Sequence, residues 1–107
     1  MPVTLDPEDS KIITLARAAR ARNGSAEGAA VRDETGRTYS ATNVALQALA
    51  LSAVQVAVGM AISSGAQTLE AVALVSEGEP SAADAAVAAE LGVKSLLVAG
   101  PDGTLRS

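Results

Sequence analysis

The stretch from residue 46 to residue 65 constrains the fold of this chain more than any other feature. It is apolar almost all the way round a helix, which is typical of a helix buried in a core or in a membrane. Polar residues interrupt it, so it lacks the roughly 18 or more continuous apolar residues of a membrane-spanning helix. We therefore predict the central helix of a small soluble domain. One face of that helix is small and polar and carries no His, Cys, Asp or Glu; it comprises Ser52, Gln55, Gly59 and Ser63.

The composition limits what kind of core this chain can build. Its 107 residues fit one domain, residues 1–107, and a hydrophobic content of 49% is ordinary for a single core. Tyr39 is the only aromatic residue and alanine is abundant, so each buried side chain contributes little apolar area. We expect close helix packing and self-association to compensate.

The missing residue types exclude several classes of function. Without Cys or His the chain has no disulfides, no thiolate nucleophile, no cysteine metal site, and neither the usual catalytic base nor the commonest transition-metal ligand. The net charge is −4, and no basic stripe with interleaved aromatic residues exists, which argues against dedicated nucleic-acid binding. The N-terminal segment is acidic and polar, so we expect no signal peptide, no membrane attachment and a cytoplasmic location. The abundant alanine and the excess of arginine over lysine suggest a bacterial source.

Local signals predict the element order α-β-β-α-β-α-β, with a further short strand at the end. The first helix is expected to begin after the cap residue Asp6 and to stop at Gly24. A hairpin around Gly36 follows, with Val31 and Tyr39 pointing inward. The hairpin strands should be antiparallel and the later strands parallel, in a mixed sheet between helices. The remaining expected ranges are the helix 46–65, the strand 69–76, the helix 82–91, the strand 93–99 and the edge strand 104–106.

This order of elements, together with short sequence motifs at matching positions, resembles the small, zinc-dependent, tetrameric type of cytidine deaminase. The likeness covers the chain from about Lys11 to Arg106. Where that family has a Val-Gly-Ala-Ala strand, this chain has Glu27-Gly28-Ala29-Ala30; where it has Pro-Cys-Gly-x-Cys-Arg, this chain has Pro80-Ser81-Ala82-Ala83-Asp84-Ala85. The resemblance implies a cytidine deaminase-like three-layer α/β/α sandwich with a mixed sheet.

The catalytic motifs of that family are replaced by other residues in this chain. In zinc deaminases three N or S ligands hold the metal, and a glutamate moves protons between the metal-bound water and the base. Carried over by position, the ligands become Ser52, Ser81 and Asp84, and the proton-moving glutamate becomes Val54. We therefore predict no metal, no cofactor and no catalytic residues, and that the chain is not an enzyme. The remnant pocket positions are Asn43, Ala45, Ser52, Val54, Gln55, Ser81 and Asp84, of which Ala45 replaces a ribose-binding glutamate and Asn43 keeps the family's other ribose contact.

Most of these positions also have a purely structural interpretation. Ser81 and Asp84 fit a capping box, in which the serine and the acid three residues later bond each other's backbone. Asn43 is expected to bond backbone at the end of a strand. We expect Ser52 to be a small packing residue, and Gln55 to bond a buried backbone group or a neighbouring subunit.

Three functions compete on this basis. The first is a catalytically inactive deaminase-like protein that acts as an oligomeric interaction or regulatory module. The resemblance implies a homo-oligomer, a dimer or tetramer, that associates near the central helix, and such a module could also bind an unidentified protein partner. The second is a non-catalytic nucleoside or base sensor that uses Asn43 and Gln55. The third is an enzyme of another kind, resting on Asp84, Glu27, Tyr39 or Lys94, but no spacing pairs these residues as a catalytic site would require.

Overall fold

The computed structural model describes residues 5–106. Its helices are α1 (Pro7–Asn23), α2 (Ala53–Ser63) and α3 (Ala82–Glu90). Its strands are β1 (Gly28–Asp33), β2 (Thr38–Thr42), β3 (Val44–Ala45), β4 (Ala50–Leu51), β5 (Leu69–Val75) and β6 (Leu97–Ala99).

The main sheet is mixed, as predicted, with the strand order β2-β1-β5-β6. β1 is antiparallel to both β2 and β5, whereas β5 and β6 are parallel. The last strand is shorter than the predicted range 93–99, since it begins only at Leu97. The predicted edge strand 104–106 is reduced to one antiparallel bridge between Ala99 and Leu105.

Alternation along the central strands produces the three layers. In β1, Ala29 and Val31 pack on the side of α2, whereas Ala30 packs on the side of α1. In β5, Leu74 faces α2 and Ala73 faces α1. Because successive side chains of a strand point to opposite faces, each strand feeds two cores. The result is the predicted α/β/α sandwich, with α1 on one face of the sheet and α2 on the other.

Helix α1 begins and ends at the predicted residues. The Asp6 side chain accepts a hydrogen bond of 2.8 Å from the backbone N–H of Glu8. Gly24 closes the helix in the left-handed conformation, with φ of 62°. Local capping chemistry is therefore sufficient to set both ends.

The turn between β1 and β2 is held by one carboxylate. Oδ1 of Asp33 accepts hydrogen bonds from the Thr35 hydroxyl at 2.7 Å, from the Thr35 N–H at 2.9 Å and from the Arg37 N–H at 3.0 Å. The hydroxyl bond is the main reason that the pKa of Asp33 lies below its ordinary value. This turn fixes the register in which Val31 opposes Tyr39, and both side chains reach the core, as predicted.

The predicted central helix 46–65 is wrong in its first third, because α2 begins only at Ala53. The preceding residues form the β3–β4 hairpin, closed by a hydrogen bond of 2.8 Å from the Leu46 N–H to the Leu49 carbonyl. Ser52 is the N-cap and adopts an extended backbone, so the helix cannot extend to the residues before it. Apolar composition favoured a longer helix, but a strong cap outweighs it.

Helix α1 approaches the start of β1 so closely that only glycine fits there. A Cβ added at Gly28 would lie 2.1 Å from the carbonyl oxygen of Ala16 and 2.8 Å from the Cβ of Arg20. Both distances are shorter than real Cβ contacts. The carbonyl oxygen of Ala16 belongs to the helix backbone, so it could not be relieved by a change of side-chain rotamer.

We expect Gly28→Ala to lower the free energy of unfolding by about 3 kcal/mol, since α1 must move away from the sheet. Gly78→Ala is the control: its Cβ would meet only the Ser76 hydroxyl at 3.8 Å, so a change within about 0.5 kcal/mol is expected. Urea unfolding followed by circular dichroism measures both. Equal stability of the two variants would contradict the close approach.

Candidate functional site

The N-termini of α2 and α3 meet on one side of the sheet, and their cap residues bond each other. We call this the helix junction; it consists of Ser52, Gln55, Ser81 and Asp84. Each helix begins with a capping box, built by Ser52 with Gln55 in α2 and by Ser81 with Asp84 in α3. The predicted capping box in α3 is thus confirmed.

Asp84 is the centre of the helix junction. It is only 1% exposed. Its Oδ1 accepts a hydrogen bond of 2.5 Å from the Ser52 hydroxyl, and its Oδ2 accepts one of 3.3 Å from the Ser81 N–H. Its own N–H donates to the Ser81 hydroxyl at 3.1 Å. Asp84 therefore caps its own helix and also bonds the other one.

Ser52 is not merely the small packing residue that we predicted. Its hydroxyl accepts a hydrogen bond of 3.1 Å from the Gln55 N–H while it donates to Asp84. The Gln55 side chain returns the bond, since its Oε1 accepts from the Ser52 N–H at 2.9 Å. The prediction that Gln55 bonds a backbone group is confirmed.

A second carboxylate, which was not predicted to lie at this site, also reaches the start of α2. Oε1 of Glu27 accepts a hydrogen bond of 3.0 Å from the Ala53 N–H. Glu27 is in turn held by Asn43, whose Oδ1 accepts from the Glu27 N–H at 3.0 Å. The backbone role predicted for Asn43 is confirmed. A signal for Glu27 was available, because it stands where the resembled strand has an apolar valine.

The remaining predicted positions lie outside the helix junction's network. Val54 is fully buried in the core between α2 and the sheet. Ala45 is exposed on β3. Of the other side chains considered for catalysis, Tyr39 packs against the core and Lys94 is exposed. The structure thus brings only the carboxylates of Glu27 and Asp84 to one helix end.

A cleft of about 340 Å³ lies elsewhere, on the α1 side of the fold. None of the predicted pocket positions lines it. Its walls come from the end of α1 and from β2: Ala19, Arg22, Asn23, Ser40, Ala41 and Thr42.

These features define a class of protein: a mixed sheet between helices, with two helix N-termini converging on a polar site. The sequence matches the family model for cytidine deaminase-like proteins over residues 5–103. The chain therefore belongs to the cytidine deaminase-like family, as its sequence resemblance indicated. No curated protein matches the sequence.

Solved cytidine deaminases have similar structures. The enzyme from Burkholderia pseudomallei is 27% identical, with a TM-score of 0.76 over 90% of this chain and 87% of that one. The enzyme from Mycobacterium tuberculosis is also 27% identical, with a TM-score of 0.73 over 94% of this chain and 90% of that one. The enzyme from Mycobacterium leprae, at 24% identity, a TM-score of 0.71 and coverage of 94% and 93%, supports the fold alone.

These neighbours contradict our prediction that the chain is not an enzyme. The structures matched at 27% identity are cytidine deaminases, and they are matched over most of their length. We based that prediction on the replaced positions Ser52, Val54, Ser81 and Asp84. Such replacements bear on one metal-dependent mechanism, and they do not by themselves decide whether a chain is an enzyme.

The residues at the three ligand positions do not fit a zinc ion. Zinc sites use thiolate, imidazole or carboxylate ligands, and here two of the three positions are serine hydroxyls. The third, Asp84, already accepts hydrogen bonds on both oxygens. Within residues 5–106, no group of three His, Cys, Asp or Glu side chains could hold a metal ion.

Among residues 5–106, none of the helices combines the length and apolar character needed to cross a bilayer.

We expect Glu27→Ala to lower the free energy of unfolding by about 1 kcal/mol, because the N–H of the fully buried Ala53 loses its acceptor. Glu27→Gln keeps an acceptor oxygen and should lose less. Glu90→Ala, which removes an exposed acid at the far end of α3, is the control. Chemical unfolding curves for the three variants measure this, and a loss in Glu27→Ala no larger than in the control would show that the contact does not stabilise α2.

Proposed function

We propose that this chain works as a self-associating module of the cytidine deaminase-like fold. Copies of the chain meet through the exposed residues of the segment from Thr38 to Leu69, which we call the uncharged surface. The observation that supports this most directly is the charge pattern, because that segment contains no Lys, Arg, Asp or Glu, although charged residues are 19% of the chain.

Large apolar side chains are exposed on the same segment. Leu46 is 64% exposed, Leu49 47%, Met60 41% and Ile62 43%, and these are the large hydrophobic residues exposed within residues 5–106. Single exposed hydrophobic residues are normal on protein surfaces. Their confinement to one uncharged segment matches the composition of interface cores, which are depleted in charge and contain Met and other apolar residues.

The outward face of α2 suits close contact with another helix. Ala53, Val54, Ala57, Val58 and Ala61 face the core. The opposite side presents Gly59 and Ser63, which are exposed and small, between Met60 and Ile62. Small residues at the centre of a contact let helices approach closely, while the larger residues at its margin bury apolar area.

We expect Met60→Glu to shift the protein from dimer or tetramer to monomer at micromolar concentration, because association would bury an unpaired carboxylate. Ala86→Glu, on the exposed side of α3, adds the same charge outside the uncharged surface and should leave the association unchanged. Sedimentation velocity and light scattering measure the mass of each. A monomeric parent protein, or equal dissociation of the two variants, would contradict the proposal.

A second candidate function is binding of cytidine or a related pyrimidine nucleoside at the start of α2, between Asn43 and Gln55 of the helix junction. It is supported by the similarity to structures of cytidine deaminases at 27% identity. Asn43 and Gln55 use their side-chain oxygens within the fold, whereas their amide nitrogens donate no hydrogen bond within the described part of the chain. Those N–H groups are therefore free to donate to a ligand.

We expect millimolar cytidine to raise the melting temperature of the parent protein through mass action. Asn43→Asp and Gln55→Glu should lose this effect, because each keeps the oxygen used in the fold but removes the donor N–H groups. Without ligand, both variants should melt close to the parent. The same samples are analysed for uridine, which reports conversion of the nucleoside. An absent shift in the parent, or an unchanged shift in both variants, would exclude this site.

A further inference from the structure

We propose that Asp84 joins α2 to α3 in the place where zinc deaminases use a metal ion, so that this chain builds its helix junction without metal. The first observation is the connection itself. Ser52 and Asp84 lie on different helices, and their side chains form a hydrogen bond of 2.5 Å at a site where Asp84 is 1% exposed. Hydrogen bonds to a carboxylate are stronger than neutral ones, and more so when they are buried.

The electrostatics of two converging helix N-termini favour an anion at this place. Each helix N-terminus is equivalent to roughly half a positive charge. Asp84 lies between the starts of α2 and α3, and Glu27 bonds the first N–H of α2. The carboxylates thus compensate the helix ends directly. In a thiolate-bound metal site, the negative ligands compensate the partial positive charge of the helix ends. Serine hydroxyls are neutral and cannot compensate that charge.

A side-chain oxygen at each of the three ligand positions already takes part in the hydrogen bonds of the helix junction. The Ser52 hydroxyl donates to Asp84 and accepts from the Gln55 N–H. The Ser81 hydroxyl accepts from the Asp84 N–H. Binding a dication here would break the capping bonds of both helices. The three replacements therefore form one consistent set, in which a carboxylate and its two serine partners replace a metal and its ligands.

Metal content and thermal unfolding of the full chain test this proposal. The protein is incubated with Zn²⁺, desalted and analysed by mass spectrometry for metal, then melted with and without a chelator. We expect no retained zinc and a melting temperature that changes by less than about 1 °C, because nothing in the native state binds the ion. One zinc per chain that is lost in Asp84→Asn, or a chelator-induced fall in melting temperature, would overturn the proposal.

The triple variant Ser52→Cys, Ser81→Cys, Asp84→Cys provides the converse test. It should retain about one zinc per chain and become sensitive to the chelator, because three thiolates suit zinc. Should it not fold, Asp84→Ala still decides the matter. We expect that variant to raise the unfolding equilibrium constant at least about tenfold, because the Ser52 hydroxyl and the Ser81 N–H lose a charged acceptor. Ser81→Ala, which keeps the bond from Ser52 to Asp84, should have a smaller effect. An Asp84→Ala variant as stable as the parent overturns the proposal.

Discussion

The hydrogen bonds of Asp84 hold together the part of the fold on which any function at the helix junction depends. Two helix N-termini that face each other carry unsatisfied N–H groups and partial positive charge. Asp84 supplies both a hydrogen-bond acceptor and a negative charge, since it accepts from Ser52 at the start of α2 and from Ser81 at the start of α3. Removal of this buried carboxylate would take away the acceptor that both helices share. This bond adds to the packing of Ala88 of α3 in the core that it shares with α2.

The rest of the fold depends on small residues that allow close approach. The buried residues of α2 are alanine and valine, and α1 reaches β1 only because position 28 is glycine. Such a core contains little apolar area per residue. The exposed apolar residues of the uncharged surface are consistent with a chain that completes its burial against a second copy. Core composition and proposed self-association thus have one physical origin.

Much of this architecture could be predicted from local sequence signals, because caps and alternation act over a few residues. Asp6, Gly24 and the Ser81–Asp84 capping box were predicted, and so was the mixed sheet. The start of α2 was not, since the β3–β4 hairpin depends on pairing between Val44 and Leu51 that composition does not reveal. The bond from Ser52 to Asp84 was missed for the same reason: its partners are distant in sequence and meet only after folding. Comparison with known structures was needed to correct the prediction that the chain is not an enzyme.

The most direct test of the central claim is a double-mutant cycle between Ser52 and Asp84. The free energy of unfolding is measured for the parent protein, for Ser52→Ala, for Asp84→Ala and for the double variant. The loss of each residue's own capping bonds cancels in the cycle, which isolates the interaction between the two side chains. We predict a coupling free energy of about 1.5 kcal/mol or more, as is typical of a hydrogen bond to a charged group. Additivity within about 0.5 kcal/mol would contradict the account, because the two helices would then be held together without this bond.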